Sequence, residues 1–249
     1  MTTVALNKIN VVPQTETGHP EKRKMVIAVD GPAASGKGTL AKMMADRLGY
    51  AYLDTGALYR AVALATLELG GNPEKYEDVA PALAMVKRNL TPELLADPAL
   101  RSHEVSEAAS KVSALPEVRS ALIDYQRGFA GNLPESVGGA VLDGRDIGTV
   151  ICPDADLKFF VTAAPEERAR RRYEELKTRY QELTLEKVMS DIQHRDQRDS
   201  TRKVAPTRAA NDAHILDTTD LNRAEALQRA VEVIHAKLLS RSGANSPGY

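Results

Sequence analysis

A short apolar run, Met25–Asp30 (MVIAVD), passes directly into Gly31-Pro32-Ala33-Ala34-Ser35-Gly36-Lys37-Gly38-Thr39, and apolar residues then recur at helical spacing. No other feature of the 249-residue chain restricts its fold so strongly. A buried strand that reaches a helix through a glycine-rich turn can point backbone amides inward. The helix start adds its partial positive charge, and together they cradle an anion. Lys37 follows at the reach needed for the β- and γ-phosphates of a nucleotide. A glycine-rich turn with a chance lysine is the plainer alternative, and the order strand, loop, helix speaks against it.

Strand signals return at Ala51–Leu53, Ala140–Leu142, Leu157–Val161 and His214–Leu216, with helical patterns between them. Leu40, Met43, Met44 and Leu48 predict one face of a helix that ends at Gly49. A further helix is predicted from Ala57 to Leu69, and a long arginine-rich helical stretch over Pro165–Arg202. Alternating strands and helices imply βαβ units. The expected fold is therefore α/β: a three-layer αβα P-loop NTPase core around a five-stranded parallel sheet. The expected division is a flexible leader at 1–24, a core at 25–60 and 137–240, a helical insert at 61–136, and a short lid at 173–184.

In such sheets ligands sit beyond the carboxyl ends of the strands. The loop after Asp30, the stretch Asp54-Thr55-Gly56 and the stretch Asp143-Gly144-Arg145-Asp146 all fall there. Thr55 is read as the cap of the next helix, with Arg60 about a turn later, a hydroxyl and a guanidinium fork suited to a phosphate. Asp143 ends a strand beside the phosphate loop, the place for a carboxylate that holds hydrated magnesium through water. Arg145 could bridge two phosphates, and Asp146 could orient a substrate-reading arginine. The dense run His194–Arg202 (HRDQRDSTR) would on its own read as a solvated helix face. Its place before the last strand suits a lid that brings arginines over phosphates.

Composition narrows the class. The net charge of −1 argues against a chain that wraps nucleic acid, so no nucleic-acid partner is expected. A single cysteine, Cys152, allows no internal disulfide, and no apolar run approaches the ~18 residues of a membrane span. A cytoplasmic monomer with small-molecule partners and no membrane partner is expected.

Taken together, the GKGT loop, Asp54–Arg60 (DTGALYR), Asp143–Val150 (DGRDIGTV) and Arg195–Arg202 (RDQRDSTR) resemble the bacterial cytidylate kinases, from Met25 to about Leu239. Leu100–Ser110 and Pro116–Arg119 resemble that family's acceptor-binding insert, here shorter than its usual form. The resemblance implies ATP as donor, Mg²⁺, and CMP or dCMP as acceptor. It implies that Thr39 touches phosphate rather than metal, since Gly38 stands where a magnesium-binding hydroxyl is usual. It gives the CMP phosphate to Thr55, Arg60 and Arg145, and the cytosine edge to Ser110 and Arg119, with Asp146 orienting Arg119. Asp199 and Arg202 would bind the sugar and base side, Arg195 the ribose, and Arg198 the transferring phosphoryl group. Arg168 and Arg172 would approach ATP. Lys37, Arg145 and Arg198 are thus the expected catalytic cations. Two rivals remain at this stage: a kinase for another small acceptor, and an ATP-hydrolysing regulator or motor.

Overall fold

The computed structural model describes residues 24–243, so the expected leader lies outside the described residues except for Lys24. Five strands form one parallel sheet: β1 (Met25–Asp30), β2 (Ala51–Asp54), β3 (Gly139–Asp143), β4 (Leu157–Thr162) and β5 (His214–Asp217), in the order β2-β3-β1-β4-β5. Central β1 pairs with β3 from Met25↔Gly139 to Val29↔Asp143 and with β4 from Ile27↔Leu157 to Asp30↔Phe160. That register brings Asp30 and Asp143 to the same end of the sheet, where the polar loops begin. Strands covered on both faces read as nearly continuous apolar runs, as β1 and β3 do.

Helix α1 (Lys37–Leu48) packs on one face of the sheet with α9 (Arg223–Gly243). Leu40, Met44, Ile27, Val29, Phe159 and Ile234 fill the space between. Met43 of the predicted face is only partly buried, and Ala41 and Ala45 complete the contact. On the other face lie Ile147 and Ile151, of a single π-helical turn (Ile147–Ile151), with Phe129. Each fully buried side chain of this size favours folding by about 1.5–3 kcal/mol.

The insert has its own core. Helices α2 (Thr55–Glu68), α3 (Tyr76–Arg88), α4 (Pro92–Ala96), α5 (His103–Val112) and α6 (Pro116–Gly131) enclose Leu58, Val62, Val79, Leu100, Val105, Val112 and Leu122. This core begins at Ala57, so the boundary expected at 60/61 cuts through α2 rather than between elements. The short stretch from Thr91 to Leu100 becomes α4 and a 3-10 turn at Pro98–Arg101, and no strand occurs in the insert among the described residues.

The arginine-rich helical stretch consists of two helices, α7 (Pro165–Leu176) and α8 (Leu185–Thr201). Thr184 caps α8 by accepting from Lys187 N. The expected lid, 173–184, is the last turn of α7 and the connection into α8.

Candidate active site

The phosphate loop is shaped by backbone. Gly31, Ala34 and Gly36 take φ of 150°, 57° and 83°. Ala34 does so without a glycine's freedom, at about 1–2 kcal/mol, and strain of this kind collects at working sites. Gly31 is required by packing, because a Cβ there would lie 2.0 Å from the Val161 carbonyl oxygen. Gly36 caps α1 with no side-chain acceptor for the first amides, which leaves them for an anion.

Gly38, the departure noted in the sequence, has a steric cause. A Cβ on it would approach Asp143 Oδ2 to 2.8 Å, so a serine or threonine there would push the Asp143 carboxylate aside. Its Oδ1 is buried without a hydrogen-bond partner and lies 3.8 Å from Lys37 Nζ. An orphaned carboxylate oxygen beside a phosphate cradle fits a hydrated cation. No cluster of His, Cys, Asp or Glu able to hold a metal alone occurs among the described residues. Burial raises Asp143 to about 6, and burial with the Arg145 charge lowers Lys37 to about 8.

Beside this loop opens a cavity of about 230 Å³. Its wall includes Lys37, Thr55, Tyr59, Arg60, Arg119, Arg145, Asp146, Arg195, Asp199 and Arg202. The expected site residues therefore converge from α2, α6, the loop after β3, and α8. The stripe Arg195, Asp199 and Arg202 follows the i, i+4, i+7 helical spacing, which turns all three to the cleft.

Nearly every guanidinium here is held by a carboxylate. Arg60 donates to Asp54 Oδ2 at 2.6 Å, and Arg145 to Asp199 Oδ2 at 3.1 Å. Arg119 donates to Asp146, whose other oxygen accepts from Arg202 at 3.4 Å. Burial opposes the charge of Asp199, yet Arg145 and Arg195 outweigh it and hold its carboxyl below the usual range. Burial and the neighbouring Arg145 push Arg195 down to about 10. Arg145 and Arg195 thus crowd one cavity as like charges, an arrangement that an anion between them would relieve.

Several expectations change in detail. Thr55 is not the cap: Asp54 accepts from Ala57 N, and the Thr55 hydroxyl donates to the Asp143 carbonyl at 2.8 Å. Thr55 thus begins the helix and fastens it to the neighbouring strand. Arg198, three residues from Arg195, is rotated off the stripe, donates to Ser110 Oγ at 2.6 Å, and does not line the cavity. Arg195, by contrast, lines the cavity. Ser110 is buried and bonded to Asp199 as well, at 3.3 Å. Arg168 and Arg172 do not share a role. Arg168 turns inward to Ala163 O, Ala33 O and Asp196, while Arg172 reaches Ser106 on α5.

Sequence reading missed Tyr59, whose ring lies 5.7 Å below the Arg119 guanidinium and fixes it from the apolar side. Its neighbour Arg60 drew attention, but a tyrosine on an apolar helix reads as core. Also missed was Arg171, bonded to Thr218 at 3.0 and 2.6 Å and to Glu167. Its Nη1 would be 3.7 Å from a Cβ on Gly36, which places it beside the donor loop. It lies in a triple-arginine run, where spacing alone does not single it out.

Comparison with known proteins agrees with this geometry. The family model described as cytidylate kinase matches residues 27–236. A cytidylate kinase of Rhodopseudomonas palustris is 51% identical over 212 residues, 85% of this chain and 96% of the relative. One of Rhodospirillum rubrum is 50% identical over 213 residues, 86% and 98% respectively. A solved, uncharacterized protein of Eubacterium ventriosum matches with a TM-score of 0.51 at 14% identity, covering 86% of this chain and 99% of the other, which speaks to the fold alone. With a phosphate cradle facing an arginine-lined cavity and half of the aligned residues shared with such relatives, the chain belongs to the cytidylate kinase family.

Proposed function

We infer that the two halves of this cleft bind ATP and CMP in line and divide the work of one transfer. The enzyme phosphorylates CMP at the expense of ATP. An oxygen of the CMP phosphate attacks the γ-phosphorus, the β–γ bridging P–O bond breaks, and ADP leaves with that electron pair. No general base is needed, since the acceptor phosphate is already anionic near neutral pH. Catalysis rests on holding the reactants close and neutralising charge that spreads over the transferred group.

The carrying observation is the convergence of Lys37 and Arg195, Arg145, Arg60 and Arg119 on one cavity. Gly31, Pro32, Ala33, Ala34, Ser35, Gly36, Lys37, Gly38 and Thr39 cradle the donor phosphates. Thr55, Arg60 and Arg145 take the CMP phosphate, which frees Arg60 from Asp54 and Arg145 from Asp199. Arg119, held by Asp146 and Tyr59, reads the base, and Ser110, Asp199 and Arg202 lie on the sugar and base side. Arg195 is assigned to the transferring group beside Lys37 and Arg145, with Arg198 positioned through Ser110. Mg²⁺ fits next to Asp143, which would hold it through water. There it would supply charge neutralisation on the donor phosphates.

Both CMP and dCMP are proposed as acceptors. We also propose a monomer acting in the cytoplasm, where ATP and monophosphate pools meet. No helix of the described residues is long and apolar enough to cross a membrane. The test is ADP formation from ATP with CMP, dCMP, UMP, AMP, GMP and dTMP supplied singly. Strong stimulation by CMP and dCMP over UMP is expected. Comparable rates with another monophosphate would overturn the assignment of the base-reading residues, and ATP loss with no acceptor would favour a hydrolase.

A further inference from the structure

Arg168 sits in the first turn of α7 and is 6% exposed. Its Nε donates to the Ala163 carbonyl at 3.0 Å, and its Nη1 donates to the Ala33 carbonyl at 3.2 Å and to Asp196 Oδ2 at 2.5 Å. A buried guanidinium is costly unless charge and hydrogen bonds are both answered. These partners answer both, and they come from different places: the end of β4, the phosphate loop and α8.

Ala33 lies inside the donor cradle. An amide cradle turns its N–H groups toward the anion and its carbonyls away, so the outward face of the loop needs donors of its own. Arg168 supplies one. Asp196 in turn follows Arg195 on α8 and stands less than a turn from Asp199. Its Oδ1 is buried with no hydrogen-bond partner, so Arg168 is the group that answers this carboxylate. A second contact runs beside the first: Ala34 packs on the cluster of Ala169, Val188 and Ile192, from α7 and α8. The phosphate loop and the arginine-bearing helix are therefore joined by a polar bond and an apolar patch through the same two helices.

We propose that Arg168, with Asp196, is a positioning pair that ties the donor loop to α8 and sets the separation between the ATP γ-phosphate and Arg195. Neither side chain touches a substrate. The proposal rests on the kinase reading above and adds to it a coupling between loop and lid helix. An in-line transfer is sensitive to placement, so a slack pair lowers the rate of transfer more than the affinity for ATP. It also admits water where CMP should react.

The test uses the full chain and the variants Asp196→Ala, Asp196→Asn, Arg168→Lys, Arg168→Met and Arg168→Met with Asp196→Ala. CDP and inorganic phosphate are both followed. Asp196→Ala is expected to lower kcat about tenfold or more, with KM for ATP within about twofold, and to raise the phosphate released per CDP formed. The double variant should lose no more than the worse single, since the two act as one unit. Arg168→Lys, which keeps a charge near Asp196, should recover part of the rate. Asp196→Asn keeps side-chain volume and gives the reading even where Arg168→Met fails to fold. A raised KM for ATP at unchanged kcat would make Arg168 an ATP-binding group and overturn the proposal. So would multiplied losses in the double variant, or unchanged kinetics with only a lower melting temperature. Failure of the unaltered chain to form CDP would instead remove the kinase reading itself.

Discussion

In the proposed function the donor and acceptor sides of the cleft would hold the same chemical group, an anionic phosphate, by opposite means. On the proposed donor side the groups on offer are main-chain amides of one nine-residue stretch, Gly31–Thr39, with Lys37 as its charged side chain. On the acceptor side they are guanidinium groups from α2, α6, α8 and the loop after β3, each already matched to a carboxylate. A backbone cradle accepts any phosphate of the right geometry. Side chains placed one by one can tell one nucleotide from another. The first arrangement suits a common donor, and the second suits a chosen acceptor.

The comparison breaks most visibly at Lys37. It is the one charged side chain of Gly31–Thr39, and under the proposed function no backbone amide can replace it at the transferring group. Lys37→Ala is expected to lower kcat by at least about 10²–10³, the scale of losing one preorganised charge, with CMP binding largely kept. Steady-state assays with CDP as the product, and circular dichroism to check folding, decide it. Turnover near that of the unaltered chain would remove the donor assignment.

On the other side, Arg119→Ala should act on recognition rather than rate. Asp146 would keep Arg202 but lose its closer partner, and Tyr59 would lose the cation above its ring. We expect kcat/KM for CMP to fall about 10- to 100-fold, mostly through KM, with CMP losing more ground than UMP. An unchanged ratio of CMP to UMP would take Arg119 out of base recognition.

This asymmetry also explains what could be read beforehand. The donor loop was legible because its parts are contiguous: strand, glycine turn, lysine and helix occur in order in one stretch. The five strands and their parallel sheet were legible for the same reason, as short apolar runs separated by helices. The acceptor residues were named from motifs, but their mutual arrangement was not readable. Nothing local in DTGALYR says that Asp54, rather than Thr55, caps α2, since either type caps well. The spacing of Arg195 and Arg198 permits either to face the cleft until the phase of α8 is set by Val188 and Ile192 packing inward. Tyr59 and Arg168 were passed over or misplaced because their partners, Arg119 on α6 and Ala33 and Asp196, lie far along the chain.

pH separates the two sides further. Lys37, lowered to about 8 by burial and by Arg145, binds phosphate only when protonated. As pH rises through about 8 the free enzyme loses that charge, so kcat/KM should fall about tenfold per unit beyond it. Bound phosphates favour the charged lysine, so the same limb in kcat should lie higher. On the acid side Asp143, raised to about 6, would lose its charge for a hydrated cation as pH falls. The phosphate of CMP titrates near there too, which makes the alkaline limb the cleaner reading. Arg119→Ala should keep that limb unchanged, because its effect belongs to the acceptor. A profile flat to pH 9.5 would show that Lys37 does not titrate as its burial dictates.

The smallest effect is expected where the lid meets the insert. Tyr180, in the connection between α7 and α8, accepts from His103 N at 3.3 Å, and the two rings meet edge-on at 6.3 Å. His103 Nε2 also lies 3.5 Å from Asp191 on α8. These contacts join the expected lid to the start of α5, the helix that carries Ser110, and make none with the proposed donor loop. Tyr180→Phe removes one partly exposed hydrogen bond whose donor water can satisfy, so KM for CMP should rise by only about twofold, with KM for ATP unchanged. A rise in the ATP constant alone would place the lid on the donor side, and the division of the cleft into a backbone half and a side-chain half would then no longer coincide with what moves.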